Sequence, residues 1–247
     1  MRTLGLLGGM AWPSTAGAYQ RINHEVGRRL GGSHSASLVI VSFDFAEIEA
    51  LQSDGRWEEA GKILGDAASK LETAGAEAVF LCTNTMHVVA PAIEAATSIP
   101  LLHIADATAQ AIRDRGIRRV GLLGTRFTME EDFYRDRLTE HDIDVLIPDA
   151  VDRMTVHRVI YEELVRGVIR PASASLYRAI IARLIGEGAQ GIIAGCTEIE
   201  LLIGPEDVPV PYFPTTRLHV ESAVDWILAP TEARRTSDLQ DSGRPPT

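Results

Sequence analysis

Short apolar runs alternate along the chain with longer segments in which apolar residues return every three or four positions. The short runs suit buried strands and the longer periods suit amphipathic helices, so the order predicts repeated βα units around a parallel sheet. The predicted strands are Leu4–Leu7, Leu38–Ser42, Ala78–Leu81, Leu101–Ile104, Val120–Leu123, Asp144–Ile147 and Gly191–Ala194. Between them, Trp57, Ala60, Leu64, Ala67 and Leu71 share one helical face, and Gly75 supplies a stop. Thr128 with Glu131 has the pattern of a capping box ahead of Phe133 and Leu138. Pro171 suits the first turn of a helix carrying Leu176, Ile180, Ile181 and Leu184.

A longer-range pattern overlies this one. Leu4-Gly5-Leu6-Leu7-Gly8 recurs as Val120-Gly121-Leu122-Leu123-Gly124. The segment Gly75–Thr83, ending Leu81-Cys82-Thr83, recurs with one extra residue as Gly188–Thr197, ending Gly195-Cys196-Thr197. Gly5 precedes Cys82 by 77 positions and Gly121 precedes Cys196 by 75. Two matches in the same order at nearly the same spacing predict an α/β fold of two similar parallel-sheet domains related by internal duplication. The expected division is residues 1–98 plus 208–229 for the first domain and 99–207 for the second, with the last helix, Pro214–Leu228, returning to the first. From Pro230 onward no apolar periodicity remains, so residues 230–247 are expected to form a disordered tail.

Composition narrows the function classes. A chain of 247 residues with 45% hydrophobic content can bury a large core or two modest ones. The formal charge of −10 and the lack of a Lys/Arg block argue against nucleic-acid binding, which rests on phosphate neutralisation. No run approaches the roughly 18 apolar residues of a membrane span, and the apolar start is too short and too broken by Gly and Pro for a signal sequence. The chain reads as cytoplasmic, and its two cysteines as thiols rather than a disulfide.

Both cysteines occupy the duplicated strand end. Ligands of open parallel sheets bind beyond the carboxyl ends of the strands, where helix N-termini also point. With the domains facing each other, Cys82 and Cys196 would flank one cleft. Abstraction of a hydrogen beside a carboxylate needs a base on one face of the carbon, and inversion needs an acid on the other. A thiol serves as either, and helix N-termini are expected to lower its pKa towards neutrality. Donors for the developing enolate are available in Thr83, Asn84, Thr85, Thr125 and Thr197. Taken singly, a strand-end Cys is more often a small buried hydrophobe, and Thr or Asn after a strand is more often a cap. The repetition is what favours chemistry.

Gly5-Leu6-Leu7-Gly8-Gly9-Met10, Cys82-Thr83-Asn84-Thr85-Met86-His87 and Gly195-Cys196-Thr197-Glu198 resemble the aspartate/glutamate racemase family. Leu30-Gly31-Gly32, Asp44–Glu49, His103–Thr108 and Gly124–Glu130 are similar to its broad-specificity amino-acid racemase branch. The resemblance implies catalysis by Cys82 and Cys196 without cofactor or metal, an amino-acid substrate and a homodimer. It also implies that Cys196 deprotonates the L-enantiomer and Cys82 the D-enantiomer. Met10 and Glu198 join the threonines and Asn84 as implied substrate contacts. Gly8-Gly9 stands where glutamate racemases carry Asp-Ser, and Phe43–Ala50 lacks the Arg that aspartate racemases carry for a side-chain carboxylate. Arg170 falls where relatives often have Lys and would keep one distal cation, whereas Glu47 or Glu49 would favour a neutral or basic side chain.

Other readings fit less well. Gly5, Gly8 and Gly9 do not match the G-x-G-x-x-G dinucleotide fingerprint. Lys62 and Lys70, the only lysines, sit on the polar face of the Trp57–Leu71 helix, which opposes a pyridoxal-type Schiff base. The seven histidines show no metal-ligand spacing. A two-domain carboxylate-binding protein would have no need of paired thiols. Relatives acting on hydantoins, maleate or arylmalonates share the fold and remain as alternatives.

Overall fold

The computed structural model describes residues 1–230. The first sheet is built from β1 (Leu4–Gly8), α1 (Trp12–Leu30), β2 (Leu38–Ser42), α2 (Phe45–Ser53), α3 (Trp57–Thr73), β3 (Ala78–Leu81), α4 (Ala90–Ala96) and β4 (Leu101–Leu102). After α5 (Ile104–Arg113) the plan repeats with β5 (Arg119–Gly124), α6 (Arg126–Glu130), α7 (Asp132–Thr139), β6 (Asp144–Leu146), α8 (Ala150–Glu162), α9 (Pro171–Gly186), β7 (Ile192–Gly195) and β8 (Tyr212–Pro214). The chain closes with α10 (Thr215–Leu228). All pairings are parallel, in the orders β2-β1-β3-β4 and β6-β5-β7-β8. The two halves thus share one strand order, and β1 and β5 hold equivalent central places.

The central strands are apolar, apart from the exposed Arg119 that opens β5, because helices cover both faces. β1 is buried at all five positions. Leu7, Val79 and Leu81 pack with Leu64, Ala67 and Leu71 of α3 on one face. Leu4, Leu6 and Phe80 pack with Ile22 and Val26 of α1 and with Ala223 and Ile227 of α10 on the other. The second domain has one core, centred on Leu122, Ile193, Tyr134, Tyr177 and Phe213.

The helix boundaries follow from caps. Asp149 accepts from the Val151 and Asp152 amides at 2.9 Å each, which starts α8. Gly75 ends the α3 segment with φ +91°, a conformation that favours glycine. Thr128 is not a cap as predicted; Thr125 caps α6 by accepting from the Thr128 amide, and the extended backbone of Glu131 separates α6 from α7. Of the apolar residues expected on α9, Ile180, Ile181 and Leu184 are buried and Leu176 is exposed.

Two boundaries differ from the sequence reading. Leu101–Leu102 pairs with β3, so residues placed in the second domain form the edge of the first sheet. Tyr212–Pro214 pairs with β7, so residues placed in the first domain form the edge of the second sheet. Each crossover therefore follows an edge strand, and only then does α10 return to pack on α1. Ile104, predicted as strand, opens α5, because the His103 ring caps the Ala105 amide. From residue 231 on, the predicted tail lies outside the described residues. Among the described residues, no helix is long and apolar enough to cross a membrane.

Candidate active site

In both sheets the strand order reverses at the central pair, β1 with β3 and β5 with β7, and that crevice is where open sheets bind ligands. Register carries the cysteines to it. Leu7 pairs with Leu81 and Gly124 with Gly195, so Cys82 and Cys196 each stand one residue beyond a strand end. The glycine turns beside them are sterically required. A Cβ on Gly8 would meet Thr15 Cγ2 at 2.3 Å, and Gly9, at φ +93°, would place one 2.2 Å from the Phe43 carbonyl oxygen.

A narrow cleft between the domains is lined by both thiols. Met10, Thr83, Asn84, Thr85, Thr125, Thr197 and Glu198 line it too, so the structure brings together all the predicted site residues except Arg170. Arg170 is exposed at the start of α9, with Glu163 3.9 Å away. That buried carboxylate also accepts from Ser173 and lies 3.6 Å from Arg158, and Arg170 does not line the cleft. Glu47 is exposed and Glu49 lines a neighbouring cavity, so neither reaches the thiols.

The sequence reading missed the rest of the lining. Phe45 and Gln52, seven residues apart on α2, face the cleft, as do Ile160 and Tyr161 of α8, Val165, and Ser14 of α1. The i, i+7 spacing of Phe45 and Gln52 was a usable signal; nothing local marks residues 160–165.

Hydrogen bonds fix the polar groups. The Cys196 thiol donates to Glu198 Oε2 at 2.9 Å, and the Ser14 hydroxyl donates to Glu198 Oε1 at 2.8 Å across the domain seam. The hydroxyls of Thr85 and Thr125 lie 3.0 Å apart across the same seam. Thr215 gives its proton to the Ala194 carbonyl, so it must accept from Asn84 Nδ2 at 3.0 Å. That fixes the amide and leaves Asn84 Oδ1 a buried acceptor with no protein partner. A buried acceptor of this kind is costly unless a ligand satisfies it.

Electrostatics depart from the expected low thiol pKa. Burial pushes the Cys82 thiol up to about 12, against a hydrogen bond with Thr15. Cys196 is pushed well above the ordinary thiol value, first by burial and then by the adjacent Glu198 carboxylate. Cys82 is followed by the 3-10 turn Thr85–Val89, which leads into the seven-residue α4, and Cys196 by the 3-10 turn Thr197–Leu201; desolvation outweighs such short dipoles. Among the described residues, no lysine lines the cleft and no group of three His, Cys, Asp or Glu side chains converges to hold a metal.

Comparison with known proteins agrees with this architecture. The Asp/Glu/hydantoin racemase family model matches residues 7–223. The broad-specificity amino-acid racemase RacX of Bacillus subtilis is 26% identical over 175 residues, 70% of this chain and 74% of that protein. A Yersinia pestis crystal structure assigned to the Asp/Glu racemases is 53% identical with a TM-score of 0.89, covering 93% of this chain and all of that one. An aspartate racemase homologue from Pyrococcus horikoshii is 34% identical with a TM-score of 0.80, again over 93% of this chain and 100% of the other. With two equivalent strand-end cysteines on one interdomain cleft, the chain belongs to the Asp/Glu/hydantoin racemase family.

Proposed function

We propose that the protein is a cofactor-independent amino-acid racemase in which Cys82 and Cys196 exchange roles as base and acid at the substrate α-carbon. The observation that carries this reading is that the chain's only two cysteines, from equivalent ends of two different sheets, line the same cleft. One thiolate takes the α-hydrogen as a proton, leaving the electron pair delocalised into the carboxylate. The opposing thiol then gives its proton to the other face. The product has inverted configuration, and the two sulfurs have exchanged protonation states.

The surroundings support each step. Asn84 Oδ1, held open by Thr215, suits an N–H of the substrate ammonium. That ammonium also brings a positive charge beside the thiols, which offsets the burial that holds them protonated. Hydroxyls of Thr83, Thr85, Thr125 and Thr197 suit the carboxylate as charge moves onto it. Glu198 is placed to take the Cys196 proton and return it, with Ser14 holding the carboxylate in position.

The substrate side chain is neutral on this reading. Among the described residues no Arg, Lys or His lines the cleft, and Phe45, Ile160 and Val165 give it an apolar wall. A second carboxylate would be buried without a partner, at a cost of several kcal/mol. The test is to incubate the purified, chelator-treated protein with single enantiomers of neutral, basic and acidic amino acids and to measure the opposite enantiomer. Neutral substrates should invert, with aspartate and glutamate slower by on the order of 10²-fold. Inversion of none would sink the proposal; inversion of the acidic pair alone would sink the side-chain assignment.

A further inference from the structure

A second cavity, of about 340 Å3, shares the Tyr161 side chain with the reaction cleft and has no part in the chemistry above. Residues of α2 and α8 line both cavities. On α2, Phe45 and Gln52 face the inner cavity, while Glu49 and Ser53 face the outer one. Spacings of three and four residues put these positions on one helical surface, so α2 runs along a single groove. On α8, Tyr161 lines both cavities. Its ring packs 4.6 Å from that of His157, one turn earlier, which steadies it in the groove.

We infer that Tyr161 is the partition between an inner reaction chamber and an outer chamber of one continuous groove, and that it sets the longest substrate side chain the racemase accepts. The inference rests on the racemase reading for its substrate. Charge on both sides of the ring supports the placement. Burial pushes the Tyr161 hydroxyl up to about 12, and the further influences come from Cys196 and Glu198 of the inner chamber and Glu49 and Arg126 of the outer one. The ring therefore stands where a side chain extending from the α-carbon along α2 would have to pass. Past it, Glu49 and Arg126 make the outer chamber polar, unlike the apolar inner wall. A residue that closes a pocket by bulk discriminates by length, and one methylene too many costs on the order of tenfold in kcat/KM.

The test uses a graded series of straight-chain amino acids: 2-aminobutyrate, norvaline, norleucine and 2-aminooctanoate. In the wild-type enzyme kcat/KM should fall by about tenfold or more between two successive members. Tyr161→Leu and Tyr161→Ala should move that fall to longer members, the Ala variant further, while Tyr161→Phe keeps it in place. A fall that stays at the same member in a Tyr161→Ala enzyme still active on 2-aminobutyrate overturns the inference, as does the absence of any fall in the wild type. Should no member be racemised by any form, the racemase reading fails on its own. The partition is then decided by calorimetric binding of the same series: a length limit that shifts in Tyr161→Ala upholds it, and one that does not overturns it.

Discussion

The Cys196 thiol donates to the Glu198 carboxylate at 2.9 Å, whereas the contact that opposes burial at Cys82 comes from the Thr15 hydroxyl. The duplicated fold therefore presents two unlike thiols. One has a carboxylate able to accept its proton; the other has a neutral hydroxyl.

Replacing Glu198 by Gln removes that proton acceptor while keeping the shape. The enantiomers of the substrate are equal in energy, so kcat/KM must fall equally in both directions, by on the order of 10²-fold. The pH profile should move as well. The Glu198 charge and hydrogen bond both hold the Cys196 thiol up; without them the thiolate forms at lower pH, and the rising limb shifts downward. A near-normal rate with an unmoved limb would remove Glu198 from the mechanism.

Much of this site is legible in the sequence because it lies where strands end. Gly8-Gly9, Cys82-Thr83-Asn84-Thr85 and Cys196-Thr197-Glu198 are contiguous, and strand register alone carries them to the crevice. Arg170 was misplaced because adjacency to a helix start does not say which way a long side chain points; here it turns towards Glu163. The wall of Phe45, Ile160, Tyr161 and Val165 was missed because a helix carries no local mark of which neighbour it will face. Among the edge strands β8 alone was missed, because it is three residues long, a length at which hydrophobic periodicity has no signal; β4 was read two residues too long.

Asn84→Ala should weaken substrate binding more than turnover. The orphaned Oδ1 is assigned to the ammonium, and a hydrogen bond to a charged group contributes about 1.5–3 kcal/mol, so KM should rise by roughly tenfold or more. Steady-state kinetics on a neutral substrate check this. An unchanged KM with a reduced kcat would instead put Asn84 on the transition state alone.

Stability should fall steeply on the acid side of neutrality. His87, His103 and His219 form a buried cluster, with ring centroids 4.5 Å apart for His87–His103 and 5.9 Å for His87–His219. Burial holds His87 down at about 4 and His219 at about 3, and His103 is lowered by burial and by His87. A depressed pKa contributes stability that is present above the ordinary histidine value and lost as pH falls towards the folded one. Between pH 6.5 and 5 each fully depressed histidine should therefore cost on the order of 2 kcal/mol. Urea unfolding at several pH values measures the slope. His219→Phe, which keeps the stack on Phe80 but loses the bond to the Leu102 carbonyl, should be less stable at pH 7 yet lose less on acidification. An unaltered slope would exclude His219 as a contributor.

The sharpest expectation assigns each thiol a face. By resemblance to glutamate racemases, Cys196 should remove the proton of the L-enantiomer while Cys82, as thiol, delivers one to the opposite face; the D-enantiomer should start from the reverse arrangement. Each cycle needs one thiolate and one thiol, and two thiolates on one buried cleft would repel, which opposes double ionisation. Replacing either cysteine by Ala should abolish racemisation, since inversion needs both faces, and Ser, a far weaker base, should do almost as badly. A single remaining base can still exchange the hydrogen it reaches and return it to the same face. In deuterated water Cys82→Ala should therefore label only the L-enantiomer, and Cys196→Ala only the D-enantiomer, read by mass spectrometry after chiral separation. The swapped pattern would reverse the face assignment and leave the two-thiol mechanism intact. Near-normal racemisation by either variant would end the mechanism itself, because one thiol cannot both take a proton from one face of the carbon and replace it on the other.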